Sequence, residues 1–383
     1  MGGCGQGVIM KRAASADRLH AEFFPSRFRR RVTRLLAEAE IDVDGGNAWD
    51  IEVRNEEFFA RVLADGSLGL GESYMDGWWE VRDLDCFFYR LLGADLDRRV
   101  WTWRDGLAWL GAALVNLQRP SRAFEVGERH YDLGNDLYEG MLDERMIYSC
   151  AFWERAATLD EAQEDKLELV FRKLALRAGE RVLDVGCGWG GALQLAAERH
   201  GVSGVGVTVS REQVEAAQRR VAGLPVEIRL QDYRELDELF DHAWSIGMFE
   251  HVGVSNYRRY METIHRCLKP GGQFLLHTIG HFLSTNHSDA WINRYIFPNS
   301  VLPSQRQIVN AIDGLFTIDG WQRIGAHYDR TLLTWRANFA RYWAASGRRD
   351  DRFRRMWVYY LSSCAAAFRA GKLDVWQVLL SPR

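Results

Sequence analysis

The stretch Arg181-Val182-Leu183-Asp184-Val185-Gly186-Cys187-Gly188-Trp189-Gly190-Gly191 decides how this chain is read. Its first five residues read as a short buried strand, and the helical run Ala192 to Arg199 follows the glycines. Glycine lets backbone approach a ligand with no Cβ in the way, and a helix N-terminus carries positive potential. By spacing, Gly186, Gly188 and Gly191 also satisfy the G-x-G-x-x-G of nicotinamide enzymes, a weak match when it stands alone. A dinucleotide site wants an acid at the end of the second strand to hold the ribose. Here the second strand, Val202 to Val207, runs into Thr208 with no acid. Acids stand instead at Asp184, beside the loop, and in Gln231-Asp232-Tyr233 after the third strand. That arrangement suits S-adenosylmethionine, which has a sulfonium cation, a ribose and an adenine but no pyrophosphate. The plainer reading makes Asp184 a turn cap and Tyr233 core; the motifs taken together outweigh it.

Outward from the loop, strand and helix alternate. Leu167, Val170, Phe171 and Leu174 recur at i, i+3, i+4, i+7, an amphipathic helix that stops before Gly179. Ser210 opens another helix, with Gln213 placed to complete a capping box. Val226 to Leu230, Ala243 to Ile246 and Gln273 to His277 supply further strands. The β-α-β-α-β order predicts a parallel sheet with helices on both faces. Earlier, glycine-rich turns are expected at Gly45-Gly46, Gly66, Gly69, Gly71 and Gly77; Ile51 and Val53 read as a short strand, and Phe58, Phe59 and Val62 as one helix face. The Trp- and Leu-rich text from Val100 to Val126 contains Arg119-Pro120-Ser121, and Pro120 blocks helix continuation. The expected division is a small N-terminal domain over 1–98, for membrane engagement or assembly, a linker over 99–125, and a catalytic domain over 126–383.

A length of 383 residues, 47% hydrophobic, is ample for two cores. A net charge of −3 gives no global field toward nucleic acid, so no nucleic-acid partner is expected and any attraction to a surface is local. The clusters Arg27 to Arg34 and Arg348 to Arg355 are candidates, although each also reads as a solvated helix face. Cys4, Cys86, Cys150, Cys187, Cys267 and Cys364 form no CxxC pair, which points to a reducing compartment and no metal. The longest apolar stretch, Leu107 to Leu117, is too short to span a bilayer. Residues 1 to about 15 carry neither a signal-peptide nor a myristoylation pattern and read as a loose tail.

From His130 onward the motifs resemble those of the cyclopropane-fatty-acyl-phospholipid and mycolic-acid cyclopropane synthases. They are His130-Tyr131-Asp132-Leu133-Gly134-Asn135-Asp136, Tyr148-Ser149-Cys150, the glycine loop, Gly247-Met248-Phe249-Glu250-His251, His277-Thr278-Ile279-Gly280, and Tyr328 within Ala326-His327-Tyr328-Asp329. Gly71-Glu72-Ser73-Tyr74-Met75-Asp76-Gly77-Trp78-Trp79 resembles the phospholipid-acting branch. The resemblance implies an α/β fold of the class I S-adenosylmethionine-dependent methyltransferase type, a Rossmann-like parallel sheet with a small N-terminal α+β domain. It implies that Tyr148, Ser149, Gly186, Gly188, Thr208 to Gln213 and Tyr233 surround S-adenosylmethionine, beside Asp184, Cys187 and Asp232 of the loop reading. It further implies a bicarbonate held by Cys150, Glu250, His277, Ile279 and Tyr328. A cysteine nucleophile would map to Cys364, but its Ala-rich helical surroundings suit a structural thiol. The expected partner is the surface of a bilayer of unsaturated phospholipids, met from the cytoplasmic side by a peripheral protein, expected as a homodimer.

The chemistry implied needs such a set. An alkene is a poor nucleophile, so it must be held against an activated methyl with water excluded. Methyl transfer leaves a carbocation, which aromatic walls stabilise. Ring closure then needs a base beside the new methyl group, and a bound bicarbonate meets that need. Singly, His277, Glu250 and Cys150 read as structural groups; jointly, with the glycine loop, they read as a site. Three rivals stay open: a methyltransferase that leaves a methyl branch, one that methylates an amine, and a lipid-binding protein with a vestigial cofactor fold.

Overall fold

The structure, a computed structural model, describes residues 27–96 and 135–383. The N-terminal tail, Cys4, the stretch Val100 to Val126 with the expected linker 99–125, and His130 to Gly134 lie outside the described residues. The chain forms two compact units, one holding residues 27–96 with Asp350–Tyr359, the other Asn135–Arg349 with Tyr360–Arg383. The segment Asp350–Tyr359, which the sequence division puts in the catalytic domain, thus packs with the N-terminal residues.

The first unit contains α1 (27–38), β1 (Glu52–Val53), α2 (Glu57–Met75), β2 (Trp79–Glu80) and α3 (Leu84–Gly93), with β1 and β2 antiparallel. Gly66, Gly69 and Gly71 lie inside α2 and not in turns; only Gly66 leaves helical geometry, at φ 57°. Trp79 is fully buried. Its ring packs against Phe58, Tyr74 and Phe87, and its indole N–H donates to Leu70 O and Ser73 Oγ. Arg355, from the second basic cluster, is buried too: its guanidinium donates to Tyr74 O, Trp79 O and Glu80. A buried charge is tolerated only when its hydrogen bonds are satisfied in this way.

In the second unit come α4 (Asn135–Met141), α5 (Leu159–Lys173), β3 (Arg181–Val185), α6 (Gly191–His200), β4 (Ser203–Thr208), α7 (Arg211–Arg220), β5 (Val226–Leu230) and β6 (Phe240–Ile246). They are followed by α8 (Tyr257–Arg266), β7 (Leu268–His281), α9 (Ala290–Tyr295), α10 (Gln305–Ile312), β8 (Phe316–Arg323), α11 (Ala326–Ser346), α12 (Asp351–Arg369, shared with the first unit) and β9 (Leu373–Pro382). The seven-stranded sheet has the order β5-β4-β3-β6-β7-β9-β8. β5 through β7 are parallel; β9 runs antiparallel to both β7 and β8. The sequence pattern anticipated the parallel strands and missed β8 and β9.

Side-chain alternation along β3 builds both cores. Val182 joins Leu167, Val170, Phe171, Leu193 and Trp244 on one face, while Leu183 and Val185 join Tyr257, Tyr260, Ile264 and Phe274 on the other. Trp244 is fully buried, and its truncation to Ala would cost about 3–5 kcal/mol. Among the described residues, no helix is long and apolar enough to cross a membrane.

Candidate active site

In an open parallel sheet, ligands bind beyond the carboxyl ends of the strands, where the winding reverses. Here that point lies between β3 and β6, neighbours whose chains continue in opposite directions across the sheet. The loop after β3 and the turn after β6 therefore face one crevice. Gly186 leaves β3 with φ 87°, and a Cβ there would come within 2.6 Å of the Met248 side chain, so only glycine fits.

A cavity of about 180 Å³ occupies this crevice. Asp184 of β3 and the loop residues Gly186, Cys187 and Gly188 line one side, and Tyr148 and Ser149 another. Thr208 and Gln213 come from the end of β4 and the start of α7, and Asp232 and Tyr233 follow β5. Ser210 caps α7 by accepting from Gln213 N–H, but the expected return bond of a capping box is missing. The Gln213 side-chain oxygen instead accepts from Thr208 Oγ1 at 2.8 Å. Asp232 is committed as well: its carboxylate accepts from the Arg234 guanidinium at 2.8 and 2.9 Å.

Asp184 is almost wholly buried; desolvation pushes its pKa up to about 7, against the pull of the Lys166 charge. Lys166 was not singled out from sequence. It is fully buried, burial lowers its pKa to about 8, and its ammonium donates to Ser149 Oγ at 2.8 Å. A signal existed, since Lys166 falls on the apolar stripe of α5 between Leu159, Ala162, Leu167 and Val170. A lysine on a buried stripe needs a polar partner, and a site is where one is found.

A second cavity, about 60 Å³, brings together Cys150, Glu250, His277, Ile279 and Tyr328. One buried water needs roughly 10–15 Å³ of such space, so a small anion fits. The two cavities share Tyr148, Ser149, Gly247 and His251 in their linings. Glu250 sits in a 3₁₀ turn, Phe249–His251, and its Oε1 accepts from Ile279 N–H at 2.6 Å. Its Oε2 is buried with no partner, and desolvation raises the pKa to about 7. An unpartnered buried carboxylate oxygen is expensive, and a bound polar ligand removes the expense. His277, at the end of the parallel stretch of β7, is held well below the usual imidazole range by burial and by the Lys166 and Lys173 charges. Burial raises the Cys150 thiol, which stays protonated and donates toward Ala151 O and Ile324 O.

The walls are aromatic. Tyr148 O–H and Tyr360 O–H meet at 2.9 Å, Phe297 packs on both rings, and Tyr328 packs against Trp335 and Phe368. His251, unassigned from sequence, lines both cavities; burial lowers its pKa to about 4 and its Nδ1 has no partner. Cys364 stands apart. It lines neither cavity, it is half-buried, and desolvation raises its thiol to about 12, which leaves little thiolate to act as a nucleophile. Among the described residues no group of three or more His, Cys, Asp or Glu is placed to hold a metal.

Residues 118–378 match the family described as mycolic acid cyclopropane synthetase. The chain is 50% identical over 352 residues to cyclopropane-fatty-acyl-phospholipid synthase of Escherichia coli (strain K12), spanning 91% of this chain and 92% of that one. Among solved structures, the cyclopropane synthase MmaA2 from Mycobacterium tuberculosis superimposes with TM-score 0.64 at 31% identity, over 68% of this chain and 98% of that one. The mycolic acid cyclopropane synthase CmaA1, complexed with SAH and CTAB, gives TM-score 0.63 at 33% identity, over 68% and 98%. With a class I methyltransferase sheet, a glycine loop at its switch point and these relatives, the chain belongs to the mycolic acid cyclopropane synthetase family of S-adenosylmethionine-dependent methyltransferases.

Proposed function

We propose that this enzyme is a cyclopropane-fatty-acyl-phospholipid synthase, adding a methylene bridge across the cis double bond of an acyl chain of a membrane phospholipid, with bicarbonate as the base. The observation that carries the reading is the partnerless Glu250 Oε2 in a small aromatic cavity that shares lining residues with the larger one.

The larger cavity fits S-adenosylmethionine: a buried carboxylate, Asp184, awaits a cation, and Tyr233 offers a ring at the far end. When bound, that cofactor supplies an activated methyl group. Asp184 is then held ionised, and Tyr148, Ser149 and Gly247, shared by both cavities, position the methyl toward the acyl chain. Methyl transfer leaves a cation on the neighbouring acyl carbon. Tyr148, Phe297 and Tyr360 face that charge with π-clouds and keep water from quenching it to an alcohol. Ring closure requires loss of a proton from the transferred methyl; Cys150, Glu250, His277, Ile279 and Tyr328 would hold a bicarbonate there, which would supply the base. Glu250, titrating near 7, orients the anion through Oε2 and can accept the proton from it afterwards. Cys150, Ile279 and Tyr328 shape the pocket. Assembly as a homodimer, and residence on the inner face of the cytoplasmic membrane, belong to the same proposal.

Incubation with S-adenosylmethionine and vesicles of unsaturated phospholipid, followed by mass spectrometry and NMR of the acyl chains, tests it. A gain of one CH₂ with cyclopropyl proton signals and loss of olefinic ones is expected. A retained alkene or a methyl branch would assign the enzyme to branch formation instead, and turnover indifferent to bicarbonate depletion would remove the anion.

A further inference from the structure

We propose that Lys173 and Gln377 are positioning residues that fix His277 as the tautomer protonated on Nε2, so that the imidazole presents a donor to the small cavity; the functional part of this rests on the bicarbonate reading above. His277 and Gln377 are directly opposed in the antiparallel register of β7 and β9, and both are buried. Lys173, the last residue of α5, donates through Nζ to Gln377 Oε1 at 2.5 Å. The Gln377 Nε2 lies 3.2 Å from His277 Nδ1.

The chemistry of the donors removes the usual ambiguity of an amide and an imidazole. A lysine ammonium only donates, so the Gln377 atom facing it is the oxygen. The other end of that amide is then NH₂, which only donates, so His277 Nδ1 must offer its lone pair. A neutral imidazole with Nδ1 unprotonated carries its proton on Nε2. Burial and two nearby lysine charges keep the ring neutral, so the tautomer and not the charge is what the relay sets. With Nδ1 engaged, Nε2 is the ring nitrogen left for the cavity His277 lines. An Nε2–H there attracts an anion; the opposite tautomer would aim a lone pair at it. Neither Gln377 nor Lys173 lines either cavity, so their influence runs through His277.

The test reads the tautomer in the intact enzyme, by long-range proton–nitrogen correlation spectra of isotope-labelled histidine, with His277 assigned by its loss in His277→Gln. Wild type should show Nε2 protonated and Nδ1 bare. Gln377→Met should mix or invert the tautomers and weaken activation by bicarbonate about tenfold, leaving S-adenosylmethionine affinity unchanged. Lys173→Met, which frees the amide to flip, should move both readouts the same way, and Lys173→Arg, which keeps a donor, should restore them. Lys173→Met also decides the matter if Gln377→Met fails to fold. A wild-type His277 protonated on Nδ1, or a tautomer unmoved by Gln377→Met and Lys173→Met, overturns the relay. An Nε2 tautomer in an enzyme indifferent to bicarbonate upholds the relay and overturns the anion reading.

Discussion

Glu250 and Asp184 are both carboxylates that burial holds near pH 7, and each makes a prediction with a definite sign. The unfolded chain would ionise Glu250 near 4.5, whereas the folded chain does so near 7. Stability from this group is therefore full below about pH 4.5, falls as pH rises toward 7, and levels above it, a loss of roughly 3 kcal/mol. Glu250→Gln cannot ionise yet still accepts from Ile279 N–H, so it should be more stable than wild type at about pH 8 and equal to it near pH 4. Urea unfolding at the two pH values checks this, and parallel profiles would contradict it. The same variant should bind S-adenosylmethionine normally and turn over far more slowly, because the amide cannot receive a proton. On the proposed reading, Asp184 acts on the cofactor. A cation beside it favours the ionised form, so affinity should rise with pH through about 7 and flatten above it. Asp184→Asn should weaken binding by about 1–3 kcal/mol and abolish that pH dependence; calorimetry at about pH 6 and about pH 8 would expose a flat wild-type profile as the contrary result.

Elements were legible where the signal is local. The strand, glycine loop and helix from Arg181 to His200 lie together in sequence, so hydrophobic runs and glycine spacing suffice to predict them. β8 and β9 are different: Phe316–Arg323 carries Asp319, Gln322 and Arg323, and only Phe316 is buried, so no buried run announces β8. Their place comes from a ladder between segments far apart in sequence, which no single window contains. Gln377 therefore could not be joined to His277 before the antiparallel register was known. Local chemistry also misleads when a ligand cavity competes for a side chain. Ser210 and Gln213 spell a capping box, yet Gln213 turns to Thr208 on the cavity wall. Thr158 and Glu161, which line neither of the two cavities, complete theirs in full at the start of α5. Thr158→Ala should cost about 1 kcal/mol of stability with catalysis intact, read from the denaturant midpoint and turnover of the same preparation. A loss of activity beyond the loss of folded protein would show that α5, which carries Lys166 and Lys173, transmits the cap to the site.

At the scale of the whole molecule, charge distribution bears on how the proposed phospholipid synthase would meet a membrane surface. A net charge of −3 attracts no anionic surface, so attraction must be local. The pair Trp78-Trp79 cannot supply it: Trp79 is buried and Arg61 stacks on Trp78 at 4.7 Å. Nor can Arg355, spent inside the first unit. On α1, Val32 and Leu36 face the core, with Ala39 buried just beyond it, Arg29 pairs with Asp44 and Glu56, and Arg27, Arg30, Arg31 and Arg34 are exposed. A basic side chain near an anionic leaflet contributes about 1 kcal/mol, so we propose these four on one helix as the docking patch. Deleting the N-terminal residues is a poor test, because Asp350–Tyr359 packs with them and Tyr359 would lose Tyr74 and Phe88 from its cover. Replacing Arg27, Arg30, Arg31 and Arg34 by Glu leaves the buried stripe of α1 alone. That variant should keep its fold and its affinity for S-adenosylmethionine, cease to sediment with anionic vesicles, and lose activity on them while retaining it on detergent-dispersed phospholipid. If it still pellets with anionic vesicles as wild type does, this helix is not the docking surface.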